Sequence, residues 1–169
     1  NLAKMHPSYA EWLVATARPG LSVELLGDEV MPGGWRTRCE QLGHPDLLKV
    51  KAFCQDVPQA LKQWDVMIYL LNPFHYGTAE IALLEAMASG VAVLAYRSAA
   101  AAEIIVDGHN GVTVAPGDEA AYLAAALSLI EDDGALHAIA SEARQSILPR
   151  SWEGVVARFE SVAREAVAG

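Results

Sequence analysis

The chain has 169 residues, 53% of them hydrophobic and 20% charged. These proportions suit one domain of ordinary size with a substantial core and exclude a disordered or fibrous chain. A formal charge of −9 excludes a general nucleic-acid binder, which needs a basic surface to displace counterions from phosphates, and leaves room only for a local basic pocket.

In chain order, Tyr9 to Ala17 place Tyr9, Trp12, Leu13 and Ala17 near helical spacing until Pro19-Gly20 breaks the pattern. Leu21 to Leu26 predicts a strand ending at Gly27-Asp28. Pro32-Gly33-Gly34 marks a loop, Trp35 to Leu42 a short helix closed by Gly43, and Leu47 to Cys54 a second strand. Val57 to Gln63 predicts a helix of one or two turns, opened by Asp56 as N-cap with Pro58 at the first helical position.

Residues 65 to 96 form the central unit. Asp65 to Leu71 is a short apolar run ended by Asn72-Pro73, a helical period begins at about Thr78, and Val91 to Tyr96 follows Ser89-Gly90. This is a strand, loop, helix and strand, and so a βαβ crossover with a parallel sheet. After it come the small-residue stretch Ser98 to Ala102, the turn Asp107 to Gly111 and the short run Val112 to Val114. Three helices finish the chain: Asp118 to Glu131, Gly134 to about Ile147, and Trp152 to Ala166 behind Ser151 as N-cap. The alternation predicts an α/β domain with a Rossmann-like parallel sheet, helices on both faces and a helical tail.

In such sheets ligands gather at the carboxyl ends of the strands, here Gly27-Asp28, Cys54-Gln55, Asn72 to Thr78 and Arg97 to Ala102. Gly77-Thr78-Ala79 would open a helix there, where free N–H groups and the positive end of the dipole favour a phosphate. Glu80 in that first turn reads as a capping residue. Glu85 sits among Ile81, Leu83, Leu84, Ala86, Met87 and Ala88, surroundings in which a carboxylate is costly unless something bonds to it. It accepts bonds either from the protein's own backbone, the commoner case, or from a ligand rich in hydroxyls.

No dinucleotide glycine fingerprint and no phosphate-loop motif appears, and no nucleophile stands beside a His and an acid. Of the five histidines only His75, beside Tyr76, lies on the ligand edge; the others read as surface residues. Cys39 and Cys54 form no CxxC pair and no His stands at metal spacing, so neither a disulfide framework nor a zinc site is indicated and a reducing cytoplasm is the default. No uninterrupted apolar run approaches the ~18 residues of a membrane helix. The start at Asn1 rather than Met reads as that of a fragment of something longer.

Taken together, Pro73, the run Leu84 to Gly90 with Val91 to Leu94, Glu103-Ile104-Ile105, Asp107-Gly108, Asn110-Gly111, Pro116-Gly117-Asp118 and the closing Ser151-Trp152 carry a specific order and spacing. The series resembles the C-terminal, donor-binding domain of retaining glycosyltransferases of the GT-B fold, in the group called family 4, over roughly Leu21 to the end. The resemblance implies a nucleoside-diphosphate sugar as donor, no required metal or other cofactor, and an acceptor sugar or lipid held by an N-terminal domain. It also implies a role in glycan biosynthesis in the cytoplasm, with peripheral membrane association of the parent.

That family has a pair of glutamates at the spacing of positions 77 and 85, the second on the nucleotide ribose and the first facing the transferred sugar. Glu85 matches the second, which supplies its hydroxyl-rich ligand; the first falls on Gly77, so Glu80 one turn later is the candidate replacement. Gly77, Thr78 and Ala79 coincide with the family's diphosphate-binding helix start, beside Tyr76, and Lys4 matches the Lys that neutralises the diphosphate. Phe53 and Cys54 are candidates to line the base pocket. The partner Arg and the family's first, central strand would lie before Asn1, and Ser98 to Ala102 replaces the family's glycines and Pro. The rival reading is a degenerate nucleotide-binding domain without transfer activity, which Gly77 favours.

Overall fold

The computed structural model describes residues 4–27, 34–51, 54–72, 74 and 80–168. Helices and strands alternate through most of the chain: α1 (Tyr9–Ala15), β1 (Val23–Leu26), α2 (Trp35–Gln41), β2 (Leu48–Lys51), α3 (Val57–Leu61), β3 (Val66–Tyr69), α4 (Ile81–Ala88), β4 (Ala92–Tyr96), α5 (Ala99–Ala102) and β5 (Val112–Val114). The tail is helical, with α6 (Glu119–Glu131), α7 (Asp133–Ile147), a 3₁₀ turn (Leu148–Arg150) and α8 (Trp152–Ala168).

Local chemistry sets many of these boundaries. Asp56, Asp118 and Asp132 each accept a hydrogen bond from the backbone N–H three residues on, at 3.1, 2.9 and 2.9 Å, which satisfies a donor that the helix start leaves unpaired. Ser98 and Ser151 do the same at 3.1 and 3.2 Å, so the small-residue stretch after β4 is a short helix. Gly90 follows α4 with a φ of +79°, a conformation that costs glycine nothing.

Two departures concern α4. It starts at Ile81, three residues later than the expected Thr78, with Glu80 as the non-helical residue before it (φ −94°, ψ 69°) and no side-chain cap. Glu80 is thus the N-cap by position, but its side chain does not cap the helix. Residues 75–79, and with them the expected anion site at Gly77, Thr78 and Ala79, lie outside the described residues.

All strand pairs are parallel, as the crossover demands, but they form two sheets: β1-β2, and β3-β4-β5. Every residue of β4 is buried, the condition of a parallel strand covered on both faces. Its alternate residues enter two cores. Ala92, Leu94 and Tyr96 pack with Trp12, Leu13, Tyr122 and Leu129, whereas Val93 and Ala95, with Val91 just before the strand, pack with Leu83, Met87, Ala143 and Ile147. Behind β4, the side chain of Asn110 accepts from the Val106 N–H at 2.6 Å and donates to the Ile104 carbonyl and the Ser146 hydroxyl. This buried amide fixes the turn before β5 against α7.

His6 departs from the expected surface position. Its ring stacks on Trp12 at 4.6 Å between centroids, and its Nδ1 accepts from the Ser8 N–H. Burial lowers its pKa.

The first core also fixes an alkaline limit. Tyr122 is fully buried, and burial pushes its pKa up to about 12. The folded state keeps this proton where an unfolded tyrosine, with a pKa of about 10, releases it. The resulting stability is complete below pH ~10 and is lost as pH rises from there toward the folded value. Tyr122→Phe is therefore expected to flatten the fall in urea midpoint between pH 9 and pH 11; equal slopes for the two proteins would contradict this.

Candidate functional site

The strand order runs outward in both directions from the space between β1 and β3. In open α/β sheets the crevice at such a switch, outside the carboxyl ends of the strands, is where ligands bind. A cavity of about 950 Å³ occupies this space and is lined at that end by Lys4, Met5, Leu71, Ala82 and Glu85.

The chain brings Lys4 there through backbone pairing. Asn72 N–H donates to the Lys4 carbonyl at 2.7 Å and His6 N–H to the Leu70 carbonyl at 2.8 Å, so the Lys4 segment runs antiparallel across the end of β3. The Lys4 side chain is exposed. An ammonium here is free to meet an anion at little desolvation cost.

Glu85 also lines the cavity, and it is exposed. The sequence pattern placed it among apolar neighbours in need of a buried partner, and the structure corrects that. The inward face of α4 is Leu83, Ala86 and Met87, all fully buried, while Ile81 is 61% exposed on the outward side with Glu85. Residues four apart share a face of a helix. The apolar stretch around Glu85 is thus partly surface, and its carboxylate faces solvent at the edge where ligands gather.

Glu80 is placed quite differently. It is only 4% exposed, and its Oε2 accepts a 2.6 Å hydrogen bond from the Tyr69 hydroxyl at the end of β3. Its Oε1 is buried and has no partner among the described residues. Burial, and then Glu80, raises the Tyr69 pKa, so the phenol remains a donor at neutral pH. The pair ties the last residue of β3 to the start of α4. Tyr69 itself lines the cavity. Sequence reading missed it, and the one available signal was its position as a tyrosine just before the ligand edge.

Lys4 and Glu85 therefore share one cavity, and Glu80 touches it only through Tyr69. Cys54 is half-buried and does not line it. Phe53, Tyr76, Gly77, Thr78 and Ala79 lie outside the described residues. Among the described residues no group of His, Cys, Asp and Glu has the geometry of a metal site. Arg97, at the end of β4, is a further cation on this edge. It donates to the Thr113 hydroxyl at 3.4 Å and approaches Asp107 at 3.6 Å. What this edge offers is an exposed carboxylate and an ammonium beside a deep cleft, a set suited to hydroxyls and anionic groups on one ligand.

Comparison with known proteins bears on the family and the fold. The family model described as glycosyl transferases group 1 matches residues 10–132. Among solved structures, Anabaena HepE in complex with UDP and glucose aligns with a TM-score of 0.76 at 23% identity, over 98% of this chain and 47% of that one. TarM of S. aureus, in a complex that includes UDP, aligns with a TM-score of 0.77 at 17% identity, over 90% of this chain and 31% of that one. The C-terminal domain of the group 1 protein LpcC from Francisella tularensis aligns with a TM-score of 0.68 at 23% identity, over 83% of this chain and 77% of that one. This chain spans about half the length of the HepE chain. No curated protein matches.

The buried Tyr69–Glu80 bond carries a test of its own. Tyr69→Phe leaves both carboxylate oxygens without a partner and is expected to cost about 2 kcal/mol of unfolding free energy, measured by urea denaturation at pH 7. Adding Glu80→Leu should recover most of the loss, since removing both partners costs less than orphaning one. A single variant as stable as the wild type would contradict the bond.

Proposed function

Because the chain belongs to the group 1 glycosyl transferases, with the Rossmann-like fold of their GT-B domains, we propose that it is the donor-binding half of a two-domain retaining enzyme. That enzyme moves a sugar from a nucleoside-diphosphate sugar to an acceptor sugar or lipid held by a preceding domain. The observation that carries this reading is the exposed Glu85 carboxylate, which shares with Lys4 the cleft between β1 and β3. UDP is the nucleotide named with HepE and TarM, and it is our choice of base here.

In this reading Glu85 accepts hydrogen bonds from the ribose hydroxyls, a charge-assisted pairing that holds the nucleoside. Departure of the diphosphate builds negative charge, which the Lys4 ammonium and the backbone amides of Gly77, Thr78 and Ala79 stabilise. Tyr76, Phe53 and Cys54 flank the donor. Metal and other cofactors have no assigned part. We place the parent in the cytoplasm with peripheral membrane association; among the described residues no helix is long and apolar enough to cross a membrane. Support for a second domain comes from α8, which leaves Trp152 82% and Phe159 73% exposed on an apolar stripe with Val155 and Val162.

One observation favours a second reading, a domain that binds nucleotide without transferring sugar. Gly77 stands where a sugar-facing carboxylate is expected, and Glu80, its candidate replacement, is held inward by Tyr69. In the transfer reading Glu80 leaves that bond to face the sugar when the donor binds.

Calorimetric titration of the parent protein with UDP, GDP and ADP tests the proposal. One nucleotide is expected to bind selectively, with Glu85→Gln weakening it at least about tenfold, or ~1.4 kcal/mol. Unchanged affinity in the variant would remove the ribose role. Binding of the sugar conjugate with neither transfer nor hydrolysis would select the second reading.

A further inference from the structure

The carboxylate of Glu80 is under-satisfied where it stands. Such a group has room for about four hydrogen bonds. Glu80, 4% exposed, takes one, from the Tyr69 hydroxyl at 2.6 Å. Its Oε1 is also buried and has no partner among the described residues. Taking a carboxylate out of water is costly, and a single neutral donor offsets only part of that cost. One short bond therefore holds the side chain in a position that little else favours.

The main chain lets that side chain move. Glu80 stands just before α4 with a non-helical backbone, and its carbonyl is held by the Leu83 and Leu84 N–H groups at 3.0 and 3.2 Å. Exchange between two positions is thus a rotation of the side chain that breaks no helical bond. The group left behind is Tyr69, which ends β3 and lines the same cleft as Lys4 and Glu85. Burial, and then Glu80 beside it, raise the Tyr69 pKa, so the phenol is a donor on either side of the exchange. Glu85, by contrast, is exposed and needs no release.

We propose that Tyr69 is a positioning residue that sets the selectivity of the site between a nucleoside diphosphate and its sugar conjugate. By holding Glu80 inward, it competes with the sugar for one carboxylate. A bare nucleotide, bound through Glu85 and Lys4, leaves the Tyr69–Glu80 bond intact. A sugar conjugate displaces the phenol, because two neighbouring sugar hydroxyls supply a donor to each oxygen of Glu80 against the single donor of the closed position. The freed phenol turns its proton to the ligand. Apparent affinity for the conjugate is then reduced in proportion to the small fraction of molecules in which Glu80 is already released. This inference rests on the donor-binding reading and names the group that regulates it.

Calorimetric titration of the wild type and of Tyr69→Phe tests it, with UDP, GDP and ADP and with the glucose conjugate of each. The variant lacks the competing donor, so its affinity for the conjugate is expected to rise about tenfold while that for the bare nucleotide changes by less than about twofold. A packing role alone moves both ligands together. An unchanged ratio of the two affinities, or a lower one, overturns the proposal and leaves the donor reading in place. No binding of any nucleotide to the wild type removes that reading and this inference with it. Should the variant fail to fold, the wild type decides: the Tyr69 ring carbon that bears the hydroxyl, followed by NMR, is expected to shift with the conjugate and not with the bare nucleotide. Equal shifts with both, or none with the conjugate, overturn the proposal.

Discussion

Everything in this domain is arranged about a parallel strand that has to be covered on both sides. β4 places Ala92, Leu94 and Tyr96 in one core and Val93 and Ala95 in the other, and a strand so placed reads as a nearly continuous apolar run. The apolar run Val91 to Tyr96 is the sequence form of that constraint. Helices must then lie on both faces, and α7 serves both, with Leu136 in one core and Ala143 and Ile147 in the other. The side chain of Arg144 on the same helix donates to the Ala88 carbonyl at the end of α4 at 2.9 Å, closing the crossover against its cover.

Function follows from what the crossover leaves at its carboxyl edge. The end of β3 and the start of α4 are tied by a buried phenol and carboxylate, while the next outward position of α4 presents Glu85 to solvent. The two glutamates thus do opposite work: one fixes the frame and the other is available. Lys4 reaches the same edge through main-chain pairing rather than through its own side chain, so its charge is placed without being spent on a partner. In a chain of net charge −9, a cation held beside a cleft makes the local field more favourable to an anion.

Much of this was legible in the sequence because the signals are local. Capping by Asp56 and Ser151 needs only a side chain and the N–H three residues on, and the order of helices and strands follows from apolar period and from Gly and Pro. The resemblance to group 1 enzymes rested on segment order, and the family match bears it out. What escaped needed three dimensions. Apolar neighbours made Glu85 look buried, because period alone does not say that Ile81 lies at the surface. The Tyr69–Glu80 bond joins the last residue of a strand to the residue just before a helix, and the stacking of His6 on Trp12 depends on where α1 lies. The division of the strands into two sheets is a matter of pairing that no single segment carries.

The measurement closest to the central claim is an amide chemical-shift map of the parent protein titrated with UDP. The largest saturable shifts are expected at the carboxyl edge of β3 and along α4, from Leu71 and Asn72 to Glu80 through Glu85. Shifts concentrated instead at the opposite edge, around Gly20 and Gln63 to Asp65, would place the nucleotide elsewhere and contradict it.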